Sequence, residues 1–343
     1  MATRESVEGV RGRLTVALQS ESFAPGEVVS GVVMLSTLEL VQTREPLEVV
    51  IQGREAVAWD EGGYSPVTNA FDKIFLQHKI ELTPATIFSP GDEEFNFNFK
   101  LPADLPSSFE LSDIYSGTAE RLRVQVKYQA SVWIRADTES VAYLQAAQQF
   151  SVHAPPTITP PARALEVSAS EVVYWLCCIN RGSVQMTAEV PKDVFVAGEM
   201  VPLACRLDGS ASKTSVTSVS VELVEDVVLR NLGGQPDRDV TRVLSTQRVA
   251  GLGAGQTGEQ VVNVGLVENE KQNPINPDVA THFFRCTHRL IVRCKPFMAP
   301  AIVGEVPVRA LHHDTLFSAG AVRVLKMPAE ATARNFSAYD DVD

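Results

Sequence analysis

The sequence predicts an all-β protein built from two tandem immunoglobulin-like β-sandwich domains, and three observations support this fold class. Apolar and polar residues alternate along many short segments, which is the period of a half-buried strand. One strand-turn-strand pattern occurs twice, in the same register, in the two halves of the chain. The length of 343 residues exceeds one compact domain of about 100–150 residues, which favours two domains and a connector.

The clearest alternation runs through residues 121–130, RLRVQVKYQA. Every odd position is polar and every even position apolar, as in a strand with one face in the core and the other in water. Helical periodicity is scarce elsewhere, and the alternating runs end at Pro, Gly, Asp and Asn. These patterns predict strands throughout.

The repeated pattern relates the two halves by a constant shift of 172 residues, from Phe23 to Phe195. The shift pairs Leu14 with Met186, Leu18 with Val190, Gly26-Glu27 with Gly198-Glu199, Leu47 with Val219, Val49 with Val221 and Ile51 with Leu223. Glycine supplies backbone angles that other residues avoid, so a tight turn is predicted, with Phe23 and Phe195 closing one end of each sandwich. A common hairpin would explain the turn alone, but not the second matched segment.

The domain limits are predicted from the proline-rich stretch that separates the two repeats. Residues 1–153 form the first sandwich, 154–182 the connector, 183–326 the second sandwich and 327–343 a short acidic tail. Prolines at 155, 156, 160 and 161 make the start of the connector stiff and extended, because proline fixes φ and donates no backbone hydrogen bond.

Composition excludes several classes of function. The net charge of −12 argues against nucleic acid as a partner, because such binding needs a basic surface. No apolar signal region or stretch of about 20 apolar residues is found, so we expect neither secretion nor membrane insertion. The number of cysteines is odd and their spacing unsuited to zinc, which favours reduced thiols in the cytosol. They are Cys177, Cys178, Cys205, Cys286 and Cys294.

Three segments give the chain a resemblance to a known family. They are FAPGE in the first half, KLPADLPSSFE at residues 100–110, and Trp-Leu-Cys-Cys at 175–178 before FVAGE. With these segments the chain resembles the arrestin-domain-containing proteins, or α-arrestins, over residues 13–325. That family carries a Leu-Pro-x-x-Leu-Pro-Ser/Thr-Ser-Phe-Glu stretch ahead of a strand, here residues 124–134. The resemblance implies the arrestin fold.

The resemblance also implies a function. It implies a non-catalytic cytoplasmic adaptor that binds cytoplasmic tails of membrane proteins, links them to sorting, endocytic or ubiquitination machinery, and associates peripherally with endosomal or plasma membranes. Two alternatives stay open: an arrestin-fold subunit of a retromer-type coat, and an enzyme carried on a β-sandwich.

The chain departs from the family pattern in two places. Many α-arrestins recruit ubiquitin ligases through Pro-Pro-x-Tyr, whereas here Thr157-Ile158 and Ala162-Arg163 follow the two proline pairs. Visual and β-arrestins sense phosphates with lysines on the first strand, but residues 14–19 contain none. Neither route of recruitment or activation is therefore expected.

Basic residues supply the main candidate binding site. Arg121, Arg123 and Lys127 share the polar face of one predicted strand, and Arg11 and Arg13 precede the first strand. Arginine pairs bidentately with carboxylate or phosphate, so the row suits an acidic or phosphorylated peptide. The alternative interpretation is a solvated strand face whose charges discourage edge pairing.

Two further candidates are modification or sorting signals. Cys177 and Cys178, beside an apolar cluster, suit S-acylation, although a buried apolar connector is the favoured explanation because free cysteine is commonly buried. Tyr339 and Val342 fit a tyrosine-x-x-apolar sorting pattern in the acidic tail, and such four-residue matches also arise by chance.

No catalytic motif stands out in the sequence. His282, His288, His312 and His313 have no Asp or Glu at a recognisable partnering spacing, and lone histidines in strands are usually structural. The sequence therefore predicts no catalytic residue, no metal site and no cofactor.

Overall fold

The structure is a computed structural model that describes residues 12–61, 67–114, 121–135, 143–153, 164–175, 179–234, 237–268 and 273–311. The regular elements in these ranges are strands, which confirms the predicted all-β class. In these ranges, no helix is long and apolar enough to cross a membrane. The strands form two compact units, which we describe separately.

The first domain is a sandwich of two main sheets. Its strands are β1 Gly12–Leu18, β2 Ser22–Phe23, β3 Val28–Thr37, β4 Val41–Gln42, β5 Leu47–Glu61, β6 Val67–Thr83, β7 Ile87–Phe88, β8 Gly91–Lys100, β9 Phe109–Ile114, β10 Arg121–Arg135 and β11 Tyr143–Val152. One sheet has the order β1-β3-β8, and the other has the order β2-β11-β10-β5-β6 with β9 paired to β10. Strands β4 and β7 form a separate pair.

The second domain repeats this arrangement. Its strands are β12 Leu165–Trp175, β13 Ile179–Val190, β14 Val194–Val196, β15 Met200–Asp208, β16 Val216–Leu229, β17 Arg238–Ala250, β18 Thr257–Gly265, β19 Val279–Ala280, β20 Phe284–Pro296 and β21 Ile302–Leu311. The sheets have the orders β12-β13-β15-β18 and β14-β21-β20-β16-β17, with β19 paired to β20. Except for β12, β4 and β7, each strand has a counterpart in the other domain.

The turn predicted from the sequence repeat has the same geometry in both domains. Gly26 has φ of 81° and Gly198 has φ of 89°, angles that residues with a Cβ rarely adopt. The phenylalanines that precede these turns are buried, with exposed fractions of 3% for Phe23 and 1% for Phe195. Each lies on a short strand that pairs in parallel with the last strand of its domain. The predicted role of the repeat is confirmed.

Two parts of the predicted connector, residues 154–182, are strand in the structure, because β13 already begins at Ile179. Leu165–Trp175 is strand β12, which pairs with β13 and extends the first sheet of the second domain. Leu165, Val167 and Ala169 pack against the core of that domain, because they alternate with polar residues and so share one face of the strand. Residues 154–163, 176–178 and the predicted tail lie outside the described residues.

The Leu-Pro stretch at residues 101–110 also contributes more than the sequence indicated. The strand predicted to follow it, residues 124–134, is part of β10. A second strand, β9, begins within the stretch itself, at Phe109. Leu101, Leu105 and Phe109 are buried, and the Tyr128 hydroxyl donates a hydrogen bond to the Pro106 carbonyl at 2.6 Å. The stretch is thereby held against the first domain's core.

Candidate functional site

The predicted basic row lies on the outer face of the first domain's larger sheet. Arg121 and Arg123 are exposed and Lys127 is half-buried on β10, while the alternate residues Leu122 and Val124 are buried. The alternation read from the sequence is confirmed. The three basic side chains therefore share one face, about 6–7 Å apart for neighbours two residues along the strand.

Acidic side chains lie close to this row. Ion pairs close to the row are Arg54–Asp72 at 3.1 Å, Arg123–Asp60 at 3.9 Å and Lys127–Glu110 at 3.2 Å. Arg121 makes no ion pair with any residue that the structure describes. Because exposed pairs contribute little, about 0–1 kcal/mol each, an incoming carboxylate or phosphate can replace their acidic partners.

The other predicted site residues are not brought to this face. Arg13 is exposed on β1, opposite Ser36 of β3, and so belongs to the other sheet of the domain. The remaining candidates lie outside the described residues: Arg11, Cys177, Cys178, Tyr339 and Val342. Their predicted roles stay predictions.

The second domain contains a buried group of charged residues that the sequence did not predict. The inward-facing positions of β16 and β20 are apolar except where Glu225 and His288 stand directly opposite each other. Both side chains have an exposed fraction of 0%. Cys286, also buried, lies two residues from His288 and therefore on the same face of β20. A polar level thus interrupts an otherwise apolar core.

We call this group the Glu225–His288 cluster, and it comprises Glu225, Arg242, Glu268, Asp278, Cys286 and His288. Its contacts are Arg242 Nη2–Glu225 Oε1 at 3.0 Å, Arg242 Nη2–Glu268 Oε1 at 2.8 Å, His288 Nδ1–Asp278 Oδ1 at 2.7 Å and His288 Nε2–Glu225 Oε2 at 3.6 Å. The Ala310 N–H also donates to Asp278 Oδ1, at 3.2 Å.

Two atoms at the centre of the cluster lack hydrogen bonds. Within the described ranges, neither Glu225 Oε2 nor His288 Nε2 has a hydrogen-bond partner, although both are buried. Their separation of 3.6 Å is longer than an N–H···O hydrogen bond, which spans about 2.7–3.2 Å. Ligand atoms of Glu225, Cys286 and His288 all lie within 4.8 Å of one another, so among the residues that the structure describes these three form a group that could hold a metal ion.

The environment shifts the pKa values of these three side chains. Burial opposes a charged imidazole, but Asp278 and Glu225 outweigh it and raise the pKa of His288 to about 9. Burial also opposes an ionised Glu225, yet His288 and Arg242 hold the pKa of this carboxyl below its ordinary value. Burial raises the pKa of the Cys286 thiol well above its ordinary value. The cluster therefore favours positive charge at its centre.

The first domain has an aromatic counterpart at the same level, beside one buried carboxylate, that of Glu55. The repeat shift places Gly53 where the second domain has Glu225, and Tyr128 stands opposite Gly53 as His288 stands opposite Glu225. A Cβ on Gly53 would lie 2.7 Å from Phe75 and 2.9 Å from Tyr128. Aromatic rings therefore fill the space beside Gly53 that corresponds to the Glu225 side chain in the second domain.

The hydrogen bonds around this level are also related. In the first domain the Ser108 Oγ accepts from the Val152 N–H at 2.9 Å. In the second, Asp278 Oδ1 accepts from Ala310, which occupies the place of Val152 beside the phenylalanine strand. Asp278 thus replaces a serine, and its carboxylate also binds His288. The same backbone site carries an ionic group in one domain only.

Sequence reasoning missed the cluster because the partners of His288 come from other strands and loops. The available signal was the charged residue at an inward position: Glu225 continues the alternation that begins at Val219, and His288 continues that of Leu290 and Val292. A polar residue at a position that alternation assigns to the inward face of a strand indicates a buried polar group. It does not identify the partner.

Both halves of the chain match models of known protein domains. Residues 13–155 match the family model described as Arrestin (or S-antigen), N-terminal domain, and residues 180–309 match the corresponding C-terminal domain. Arrestin domain-containing protein 4 of Mus musculus is 26% identical over 281 residues, which is 75% of this chain and 63% of that protein. Arrestin domain-containing protein 5 of Homo sapiens is 28% identical over 206 residues, 57% of this chain and 56% of that protein.

Proposed function

We propose a function from one premise: this chain belongs to the arrestin family, with the arrestin-domain-containing proteins as relatives. It acts as a non-catalytic adaptor that binds cytoplasmic regions of membrane proteins and links them to trafficking or endocytic machinery. The observation that carries this proposal is the presence of both arrestin domains, in order, over most of the described chain.

The absence of catalysis is part of the proposal and has a structural argument behind it. Among the described residues, the Glu225–His288 cluster brings an acid, a base and a thiol within 4.8 Å of one another. Taken over the whole residue, backbone included, the exposed fractions are 0% for Glu225, 3% for His288 and 0% for Cys286. A substrate cannot reach side chains that are closed off in this way.

The partner-binding site is, in this proposal, the basic row of Arg121, Arg123 and Lys127. Their charged ends project from a six-stranded sheet, whose pleat fixes the spacing of their backbone positions. A segment with acidic or phosphorylated side chains at alternate positions would match that spacing. The neighbouring acidic residues limit affinity for unrelated anions, because each must be displaced.

Proximity labelling in cells tests the proposal with the full chain. We expect labelling of membrane proteins through their cytoplasmic regions, and a strong reduction when the row is reversed in charge by Arg121→Glu, Arg123→Glu and Lys127→Glu. A matched control reverses three exposed basic residues of the second domain, Lys213, Arg248 and Lys295, and should label as the unmodified chain does.

The outcomes separate the parts of the proposal. An unmodified chain that labels no membrane protein would refute the adaptor function. Labelling that survives reversal of the row would refute this site and leave the adaptor function standing. Co-purification at fixed stoichiometry with a coat complex would instead favour the coat-subunit alternative.

A further inference from the structure

We propose that Glu225, Cys286 and His288 form a binding site for one zinc ion inside the second domain. The first argument is the pair of buried atoms without hydrogen bonds, Glu225 Oε2 and His288 Nε2. A buried polar atom left without a partner costs about 1–3 kcal/mol, and more when the group is charged. Two such atoms facing each other indicate a shared ligand between them.

The separation of these atoms suits a metal ion better than a proton. A shared proton would draw the nitrogen and oxygen to about 2.7–2.9 Å, whereas they lie 3.6 Å apart. Two ligands at about 2.0–2.1 Å from a tetrahedral zinc ion lie about 3.3 Å from each other. Zinc therefore requires only a small contraction of the observed geometry.

The third ligand determines which metal the site would prefer. Cys286 Sγ lies within 4.8 Å of both other atoms, and its position two residues from His288 directs both side chains to the same face of β20. A mixed set of imidazole, carboxylate and thiolate suits zinc, while magnesium and calcium favour oxygen ligands alone. One position of a tetrahedral ion remains for a water molecule.

The residues around the three ligands hold them in orientation. Asp278 binds His288 Nδ1 at 2.7 Å, which leaves Nε2 as the metal-binding nitrogen. Arg242 occupies Glu225 Oε1, so Oε2 is directed to the centre. Carboxylate–histidine–metal arrangements of this kind are common in protein metal sites, where the outer partner fixes the ring.

The charge of the cluster is compatible with a zinc ion. The Glu225–His288 cluster contains three carboxylates, those of Glu225, Glu268 and Asp278, and one guanidinium, that of Arg242. Zinc binding displaces one proton from the imidazole of His288 and one from the thiol of Cys286, because both ligands bind the metal in their deprotonated forms. A divalent cation replaces two protons in this way and leaves the net charge of the buried group unchanged.

The first domain serves as an internal negative control. The positions of Glu225, Cys286 and His288 are occupied there by Gly53, Val126 and Tyr128, which offer at most one oxygen ligand. The buried Glu55 opposite Val126 adds a carboxylate but no nitrogen or sulfur ligand. The proposal therefore predicts about one zinc ion per chain rather than one per domain.

The test is zinc binding by the full-length chain after chelator treatment and dialysis, measured by titration and by metal analysis. We expect about one ion per chain in the unmodified protein. Because loss of an outer partner alone lowers affinity about 10–100-fold, Cys286→Ser and Glu225→Gln should each lower it by about 100-fold or more. Cys294→Ala, at a buried cysteine on the same strand, should leave affinity unchanged.

A measurement on the unmodified protein covers the case in which the variants do not fold. X-ray absorption at the zinc edge should show one sulfur ligand at about 2.3 Å together with nitrogen and oxygen ligands. Failure of the unmodified chain to bind zinc would overturn the proposal. So would a bound ion without sulfur, an ion with several sulfurs, or equal binding by folded Cys286→Ser.

Discussion

Glu27 and Glu199 close the same turn in the two domains. The Glu27 carboxylate accepts a hydrogen bond from the Ala24 N–H at 2.7 Å, and the Glu199 carboxylate accepts one from the Val196 N–H at 2.9 Å. Each glutamate also donates its own N–H to the carbonyl of the same partner, at 3.0 and 2.8 Å. The glycine that directly precedes each glutamate, Gly26 or Gly198, has positive φ.

We predict that Gly26→Ala and Gly198→Ala each lower the free energy of unfolding by about 1–2 kcal/mol, because a Cβ is disfavoured at positive φ. The nearest atoms to such a Cβ lie 4.0 Å away at Gly26 and 3.6 Å at Gly198, so no steric clash adds to the loss. Urea denaturation measures the change. Asparagine at either position should restore part of the stability, and equal losses for alanine and asparagine would contradict this explanation.

Glu225→Leu should destabilise the second domain by about 3–5 kcal/mol, since it removes one of the two carboxylates that the buried His288 faces and one of the two that Arg242 contacts. The measurement is thermal or urea unfolding in the presence of a chelator, so that only contacts within the protein count. Glu222→Leu is the matched control on the outer face of the same strand, where Glu222 pairs with Arg293 at 3.3 Å, and should change stability by less than about 1 kcal/mol. Similar effects of the two substitutions would show that burial does not govern the cluster.

Tyr128→Phe should lower the stability of the first domain by about 1 kcal/mol or somewhat more. The change removes the hydrogen bond from the buried hydroxyl to the Pro106 carbonyl at 2.6 Å and leaves the ring in place. Tyr174→Phe, at a tyrosine that is 48% exposed, is the control and should have no measurable effect. A neutral result for Tyr128→Phe would mean that water replaces the hydroxyl at Pro106.

The buried thiols should react slowly in the native protein. Burial raises the pKa of Cys205 to about 11 and that of Cys294 to about 12, and thiolate is the reactive form. At pH 8 we expect alkylation of both at least about 100-fold slower than in the unfolded chain. Peptide mass spectrometry after timed alkylation gives the rates, and a native rate close to the unfolded one would refute the predicted burial.

The sequence predicted the fold well because its signals are local. Period-two alternation along residues 121–130 and the glycine turns at Gly26 and Gly198 each depend on a few neighbouring residues. The connector was partly misassigned because prolines precede Leu165 and an apolar cluster follows it, which obscured a short alternating segment. The strand becomes evident only when β13 is present as its partner.

The same difference between local and tertiary signals explains which candidate site the sequence predicted. The shared face of Arg121, Arg123 and Lys127 follows from position along one strand and was predicted. The Glu225–His288 cluster depends on pairing between β16 and β20, on Arg242 from β17 and on Asp278 before β19. Such contacts are set by tertiary structure, so a single sequence indicates a buried charge without indicating its counterion.

The aromatic level of the first domain and the ionic level of the second cannot be exchanged one residue at a time. Glutamate at Gly53 would force a charge among Phe75 and Tyr128, where even a Cβ comes within 3 Å of ring atoms. Tyrosine at His288 would leave Glu225 and Asp278 facing an uncharged ring. Each single step between the two arrangements is therefore unfavourable although both ends are stable, which is strong epistasis. Exchange of one arrangement for the other therefore requires that both partners of a contact change together at this level.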